Sequence, residues 1–147
     1  MKAKAPLLLS ALAVTLSACG TPGSSAPSAA DLLRTPTALS LGGHTLSAEA
    51  GPLLDGSSLT AQVQVSGLSA PLALNVRSVY LVTQGGIWQA EGRWKSEVAC
   101  SLCRTAEAHA PAQGLLPGEQ VQVVVRLQDG LGQNYWLRDD KAAVQAR

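Results

Sequence analysis

The residues best suited to chemistry are two cysteines three positions apart, in the segment Cys100-Ser101-Leu102-Cys103. A CxxC pair can form a disulfide, ligate a metal, or exchange disulfides where a helix N-terminus lowers the pKa of one thiol. No helical pattern follows this pair, and Arg104 stands where c-type haem attachment requires a histidine. Residues i and i+3 of a strand point to opposite faces, so a bond between the sulfurs requires a β-turn, whose end Cα atoms lie within ~7 Å.

Four interpretations of Cys100 and Cys103 are open: a local structural disulfide, which we favour in an exported protein, free thiols, a metal site and redox catalysis. A zinc site needs two further ligands, and only His109 is near in sequence, because His44 is remote. We expect both histidines to be exposed, and we predict no metal and no cofactor. The motifs G-x-S-x-G, H-E-x-x-H and the EF-hand loop do not occur, so we predict no catalytic residue and no enzyme.

Three tryptophans, Trp88, Trp94 and Trp136, offer rings that could stack on sugars. Along a regular strand Trp88 and Trp94 would stand roughly 20 Å apart, which is far for one saccharide site. The chain has no Phe, so its tryptophans are needed to fill a core. We therefore predict that they pack in the core, with a carbohydrate-binding module as an alternative function.

The N-terminal segment has the three regions of a secretory signal peptide. Lys2 and Lys4 form a basic start, an apolar run covers residues 6–14, and the small residues Ser17 and Ala18 close the segment. The apolar run is roughly a dozen residues long and is too short to cross a bilayer, which takes ~20. We predict that residues 1–18 are a signal peptide and that the mature chain has no membrane-spanning helix.

The end of this segment, Leu16-Ser17-Ala18-Cys19, resembles the lipobox of bacterial lipoproteins, which is a Leu, two small residues and a Cys. The resemblance implies that the Cys19 thiol receives a diacylglyceryl group, that signal peptidase II cuts before it, and that the new amino group is often acylated. Two or more acyl chains anchor stably, since each buried methylene contributes ~0.8 kcal/mol. The expected location is the extracytoplasmic side of the bacterial cell envelope. Gly20 replaces the Asp that retains enterobacterial lipoproteins in the inner membrane, which favours the outer membrane where the host has one.

Charge and composition limit the remaining classes. The chain has 147 residues and a formal charge of +1, and without Lys2 and Lys4 it has 9 basic and 10 acidic residues, or −1. A near-neutral chain lacks the basic face of a phosphate-driven nucleic-acid binder, so no nucleic-acid partner is expected. Residues 19–36 are rich in Pro, Gly, Ser and Thr and predict a flexible tether, which leaves residues 37–147 as one domain.

Apolar and polar residues alternate over residues 59–66 and 120–127, which predicts half-buried antiparallel strands. Weaker strand candidates are residues 39–41, 46–50 and 106–110, and residues 134–138 supply a last strand after the turn at residues 129–132. Residues 77–83 and 87–94 flank Gly85-Gly86, the dipeptide of a two-residue hairpin turn. In that register Trp88 pairs with Thr83 on the side of Val79 and Leu81, and Arg77 faces Trp94, where a cation–π contact can form.

The segment Pro117-Gly118-Glu119-Gln120-Val121 through Asp129-Gly130-Leu131-Gly132 to Tyr135-Trp136 resembles the last two strands of bacterial immunoglobulin-like or fibronectin-like modules. Six to eight strands of ordinary length, together with this resemblance, predict an all-β, antiparallel, immunoglobulin-like two-sheet sandwich. A small β-barrel is the alternative fold. Residues 139–141 after the last strand are expected to be a solvated tail.

These observations predict a non-enzymatic, lipid-anchored envelope module that acts in binding, adhesion or assembly. Its expected partners are the membrane, through the N-terminal lipid, and an envelope protein recruited by exposed loops or an open sheet edge. A second class is an envelope redox or metal accessory that uses Cys100, Cys103 and His109.

Overall fold

The computed structural model describes residues 26–69, 72–96 and 100–147. These residues form one short helix and nine strands. In chain order they are α1 (Ala29–Leu33), β1 (Ala38–Leu41), β2 (His44–Asp55), β3 (Ser58–Ser66), β4 (Asn75–Thr83), β5 (Gly86–Trp94), β6 (Cys103–Pro111), β7 (Gln120–Gln128), β8 (Asn134–Ala143) and β9 (Gln145–Ala146). The all-β, antiparallel prediction is confirmed, with one parallel contact between β2 and β9. The predicted signal peptide and Cys19 lie outside the described residues.

The strands form two hydrogen-bonded layers that share β5. The first layer has the order β1-β2-β3-β6-β5 and the second has the order β5-β4-β7-β8. Residues 86–91 of β5 pair with β4, whereas residues 92–94 pair with β6. Gly92 stands at this change of layer, where a Cβ atom would lie 2.8 Å from Cγ2 of Val76. A glycine is suited to this corner, because the side chains of Val76 and Val79 occupy the space that a Cβ would need.

The outer edge of β2 brings the two layers together again. Strand β1 pairs with residues 44–47 of this edge, and β9 pairs with Leu53 and Leu54. Between them the Ala50 N–H donates a hydrogen bond of 2.7 Å to Oδ2 of Asp139 on β8. The edge is therefore covered along its length, as natural sheets require to avoid pairing with other chains. The arrangement is nearly closed and barrel-like, and the small-barrel alternative fits it.

The charged triplet at residues 139–141 differs from the expected solvated tail, because it belongs to β8. A bulge between Val121 and Val123 on β7 shifts the pairing there. Beyond the triplet, Ala142 and Val144 are buried. The charged residues hid this strand from the alternation pattern, since an edge strand can carry charges where its side chains reach solvent or a backbone donor.

The core lies between the two layers, where the predicted alternation is confirmed in both main strands. Strands β3 and β7 bury the apolar faces that the sequence indicates, including Leu59, Val63 and Leu127. Val124 is the exception, because it points to the opposite face of β7 and is nevertheless 0% exposed. A second, smaller apolar cluster covers that outer face.

Helix α1 forms this second cluster and changes the domain boundary. Ser28 accepts a hydrogen bond from the Asp31 N–H and donates its own N–H to the Asp31 carboxylate, which is a capping box. Leu32 is 1% exposed and packs on the outer face of the second layer, against Tyr80, Val82 and Val124. Arg138 donates its backbone N–H to the Pro36 carbonyl and its Nε–H to the Thr35 carbonyl. Residues 28–36 therefore belong to the folded domain, in contrast to the predicted tether over residues 19–36.

The turn between β4 and β5 lies at Gln84-Gly85, so Leu81 pairs with Trp88. The predicted register is wrong by two residues. The Thr83 hydroxyl accepts from the Gly85 N–H and donates to the Gly86 carbonyl, and these bonds tighten the turn one residue earlier than predicted. A shift of two residues keeps every side chain on its face. Trp88 accordingly lies on the predicted core side and is 2% exposed.

Candidate functional site

The two cysteines of the CxxC segment meet across the turn between β5 and β6. Cys100 forms an isolated antiparallel bridge with Cys103, and the Cys103 N–H donates to the Cys100 carbonyl at 3.5 Å. Their Cα atoms are 5.1 Å apart, and the sulfurs are at disulfide distance. The prediction that a turn brings the pair into disulfide range is confirmed. We call residues 100–103 the disulfide turn.

The disulfide turn is tied to the loop that follows β3. The Leu68 N–H donates to the Leu102 carbonyl at 2.9 Å, and Gln64 Nε2 donates to Sγ of Cys103 at 3.2 Å. The sulfur of Cys103 is therefore held inside, with only 2% of the residue exposed, whereas Cys100 is exposed. The turn thus joins two chain segments and presents one of its two cysteines to solvent.

A groove of about 670 Å³ opens beside the disulfide turn. Apolar lining comes from Leu68, Leu72 and Leu74, and the charged lining residues among those described are Lys95 and Arg104. Gly130 of the β7–β8 turn also lines it. We call this end of the domain, made by residues 68–69, 72–74, 100–103 and 129–133, the disulfide end.

Two side chains at the disulfide end are exposed although they are large and apolar. Leu102 in the disulfide turn is 57% exposed, and Leu131, which follows Gly130, is 94% exposed. Apolar side chains presented together beside a groove are typical of surfaces that bind partners. Apart from the CxxC pair, no catalytic pattern in the sequence points to this end, and only the pairing of distant strands brings these loops together.

The β7–β8 turn of the disulfide end is fixed by one carboxylate. Asp129 Oδ1 accepts the N–H groups of Leu131 and Gln133, each at 2.9 Å, and Oδ2 accepts the Tyr135 hydroxyl at 3.1 Å. The hydrogen bond from the Gln133 N–H has the largest effect on the pKa of the Asp129 carboxyl. Together the donors outweigh the opposing effect of burial and lower this pKa. For Tyr135, burial and then the bond to Asp129 raise the pKa of the hydroxyl. The exposed Leu131 therefore stands on an ordered turn.

The three tryptophans occupy three different environments. Trp88 is buried in the main core and donates its ring N–H to the Pro111 carbonyl at 2.9 Å. Trp94 is half-buried, donates to the Leu74 carbonyl at 3.0 Å, and lies under the guanidinium of Arg104, whose Cζ is 4.7 Å from the ring centre. The predicted Arg77 contact is wrong, because Arg77 instead donates its Nε–H to Gln128.

Trp136 lies on the outer face of the second layer, beside α1, and packs against the second cluster. Its ring centre is 5.7 Å from that of Tyr80, and Leu32 belongs to the same cluster. The prediction of core packing is therefore confirmed for Trp88, and Trp94 packs at the edge of the same core. Trp136 packs instead against the second cluster. The rings do not share one exposed face.

A polar chain crosses the outer face of the first layer, where β3, β6 and the end of β5 meet. Nδ1 of His109 is 2.9 Å from the Thr60 hydroxyl, and Nε2 of His109 bonds with Glu107. Lys95 Nζ is 3.5 Å from the same carboxylate. Burial opposes ionisation of Glu107, but the bond and charge of His109, followed by Lys95, outweigh it and lower the pKa of this carboxyl.

The order hydroxyl, imidazole, carboxylate is that of hydrolytic triads, and a shallow cavity of about 290 Å³ lined by Lys95, Glu107 and His109 lies beside it on the sheet face. Thr60 and His109 are direct cross-strand partners, and Thr60 also pairs with Leu53 on its other side. The backbone of β3 is therefore used by the ladders on both sides, so it supplies no free N–H for an oxyanion near Thr60. The chain of contacts acts as a set of cross-strand pairs that joins β3, β6 and β5.

The alternative metal-ligand set, Cys100, Cys103 and His109, is not brought together in the described part of the chain. His109 is 63% exposed at its side chain and contacts Thr60 and Glu107, and His44 contacts Ser69. Among the described residues no group of three or more His, Cys, Asp or Glu side chains is placed to hold a metal ion. Glu107, which the sequence interpretation did not single out, is the centre of the polar chain, and its i+2 spacing from His109 on one strand is the signal that could have found it.

No protein-family model matches this chain, and a search of curated proteins finds no significant match.

Proposed function

We propose that this protein is a lipid-anchored component of the bacterial cell envelope whose β-domain binds a partner protein, without catalysis, through the disulfide end. The observation that carries the binding role is the exposure of Leu102 and Leu131 beside the groove. Exposed apolar side chains of this kind mark surfaces that bind partners, and removing them from water favours the complex. Lys95 is paired with Glu107, so Arg104 is the lining residue whose positive charge favours a partner with acidic groups at the rim of the groove.

We also propose that the domain is an immunoglobulin-like or fibronectin-like module. Its strand order supports this assignment, with β2, β3 and β6 in one layer and β5, β4, β7 and β8 in the other. That order corresponds to strands A, B and E over C′, C, F and G of such modules. In these modules the loops at one end are a common binding surface, and here that end corresponds to the disulfide end.

The envelope location rests on the lipobox-like segment, residues 16–19. The test is metabolic labelling with a fatty acid in a bacterium that processes lipoproteins, comparing the natural chain with Cys19→Ser and Cys100→Ser. We expect label in the natural chain and in Cys100→Ser, and none in Cys19→Ser. Label that persists in Cys19→Ser would exclude the proposed anchor.

The binding role is tested by photocrosslinking from two leucine positions in intact envelopes. A benzophenone amino acid replaces Leu102 at the disulfide end or Leu116 in the β6–β7 loop at the opposite end. Both leucines are exposed, at 57% and 67%, so the two probes differ mainly in position. We expect one discrete adduct from position 102 and little from position 116. Equal adducts from both positions would contradict a binding surface at the disulfide end.

A redox role is the second candidate, because the two cysteines differ in exposure. Cys100 is exposed and Cys103 is buried, which is the arrangement in which one thiol can attack a substrate disulfide and the other can resolve it. The test is the double variant Cys100→Ser with Cys103→Ser in a strain that depends on the protein. A variant that keeps the cellular role and melts slightly lower would exclude redox chemistry and support a structural disulfide, which contributes ~2 kcal/mol for so short a loop.

A further inference from the structure

We infer that the surface around α1 is the membrane-facing side of the domain, held against the lipid headgroups by a short leash. This inference rests on the proposed lipidation of Cys19 and adds to it an orientation and a second contact with the membrane. We define the α1 surface as Pro27, the outward side of α1 with Leu33 and Arg34, and the neighbouring ring of Trp136.

The length of the leash follows from where folding begins. The capping box at Ser28 and the buried Leu32 fix the chain from residue 28 onward, so residues 20–27 alone separate Cys19 from the domain. Such a segment spans at most about 28 Å when fully extended.

The leash is short compared with the domain. A domain of this size has a radius of gyration of about 14 Å and hence a diameter of about 35 Å. A leash that attaches at Pro27 and spans at most about 28 Å cannot reach around to the far side of such a body. The side on which Pro27 lies therefore faces the headgroups most of the time. A tether over the whole of residues 19–36 would have left the orientation free.

The α1 surface has the chemistry of a membrane interface. A shallow cavity of about 380 Å³ there is lined by Pro27, Leu32, Arg34 and Trp136, among others. Leu33 is 41% exposed beside the exposed Arg34. The Asp31 carboxylate at the start of the helix is bound by the capping box, and the exposed guanidinium of Arg34 lies at the other end of the helix. Leucine, tryptophan and arginine are side chains that settle at the boundary between headgroups and acyl chains.

The groove remains available in this orientation. The residues that line it and the residues of the α1 surface have no member in common. In this orientation the α1 surface contacts lipid, and the groove stays free for a protein partner.

Energy transfer from tryptophan to a dansyl-labelled lipid headgroup tests the inference, with the full lipidated protein in phosphatidylethanolamine and phosphatidylglycerol vesicles. Trp136→Phe removes the donor at the α1 surface, and Trp94→Phe is the matched control that removes a half-buried donor near the groove. A third variant carries about 15 added Gly and Ser residues between Ser24 and Ser25, which lengthens the leash and leaves the domain unchanged. Vesicle flotation is recorded for every sample, with Cys19→Ser as the unanchored control.

We expect Trp136→Phe to lose most of the transfer, Trp94→Phe to lose less than half as much, and the lengthened leash to reduce transfer at least twofold. The orientation is refuted if the lipidated protein floats but Trp94→Phe loses as much transfer as Trp136→Phe. It is also refuted if the lengthened leash leaves transfer unchanged. If the natural chain does not float, the lipid anchor itself fails, and that result is separate from the other two.

Discussion

Replacing Leu32 or its neighbour Leu33 by alanine tests whether residues 28–36 are a folded part of the domain. Both leucines lie in α1 and lose the same atoms, but Leu32 is 1% exposed and Leu33 is 41% exposed. The two substitutions have the same effect on helix propensity. Any difference between them therefore reports the packing of α1 on the sheet.

The expected magnitude follows from burial. Leu→Ala removes about three carbons from the cluster with Tyr80, Val82 and Val124, and at ~0.8 kcal/mol per carbon this costs ~2.4 kcal/mol. The cavity left behind raises the loss to about 3 kcal/mol. For Leu33→Ala we expect a loss of about 1 kcal/mol or less, because its side chain keeps much of its contact with water in the folded state.

The assay is urea unfolding of the chain carrying Cys19→Ser, followed by tryptophan fluorescence. Trp136 lies in the same cluster and reports on it directly. We expect a clearly lower midpoint for Leu32→Ala than for Leu33→Ala, with similar slopes. Equal midpoints near that of the parent would mean that residues 28–36 are a tether in solution and would remove the basis for the short leash.

Three further perturbations have defined outcomes. Gly67→Ala should lose about 2 kcal/mol or more, because Gly67 has φ +90° and an added Cβ would collide with a backbone carbonyl of β2, whereas Gly130→Ala, with open space around it, should be nearly neutral in thermal melts. Asp139→Ala should cost about 1–2 kcal/mol in urea unfolding by leaving an N–H on β2 unpaired, and the exposed Asp140→Ala should cost little. The pKa of Asp129 is lower in the folded state than its unfolded value of ~3.9, so the ionised carboxylate contributes fully to the free energy of unfolding above that value. This contribution is lost as the pH falls through the lower folded pKa. Asp129→Asn should therefore make the free energy of unfolding less dependent on pH in the acid range.

The strands could be predicted from the sequence because each of them buries one face. Over residues 59–66 the apolar side chains face the core and the polar ones face outward, and the structure shows the same alternation of burial at each residue. Val124 departs from the pattern of β7 because a distant helix covers the outer face, and no local period encodes that contact. The hairpin register failed for a related reason, since Gly85-Gly86 permits two adjacent turns and the Thr83 hydroxyl decides between them.

The candidate site also has one part that the sequence could predict and other parts that it could not. The disulfide turn is a local feature, so the spacing of Cys100 and Cys103 was enough to predict it. The groove depends on loops that are far apart in sequence, after β3, β5 and β7, and only the strand order brings them to one end. The polar chain through Glu107 was missed because Thr60 lies on β3 and Lys95 follows β5, whereas Glu107 and His109 lie on β6.

The sequence by itself determined the all-β class, the export and lipidation hypotheses, and the cysteine turn, because each depends on residues close together in the chain. The tertiary structure decided where the domain begins, which edge Asp139 closes, and which loops share the groove. Those properties depend on contacts between distant segments, and their free energy comes from burial and hydrogen bonds that exist only after the strands have assembled. The tether illustrates the difference, since its polar composition predicted flexibility while one buried side chain, Leu32, attaches its second half to the domain.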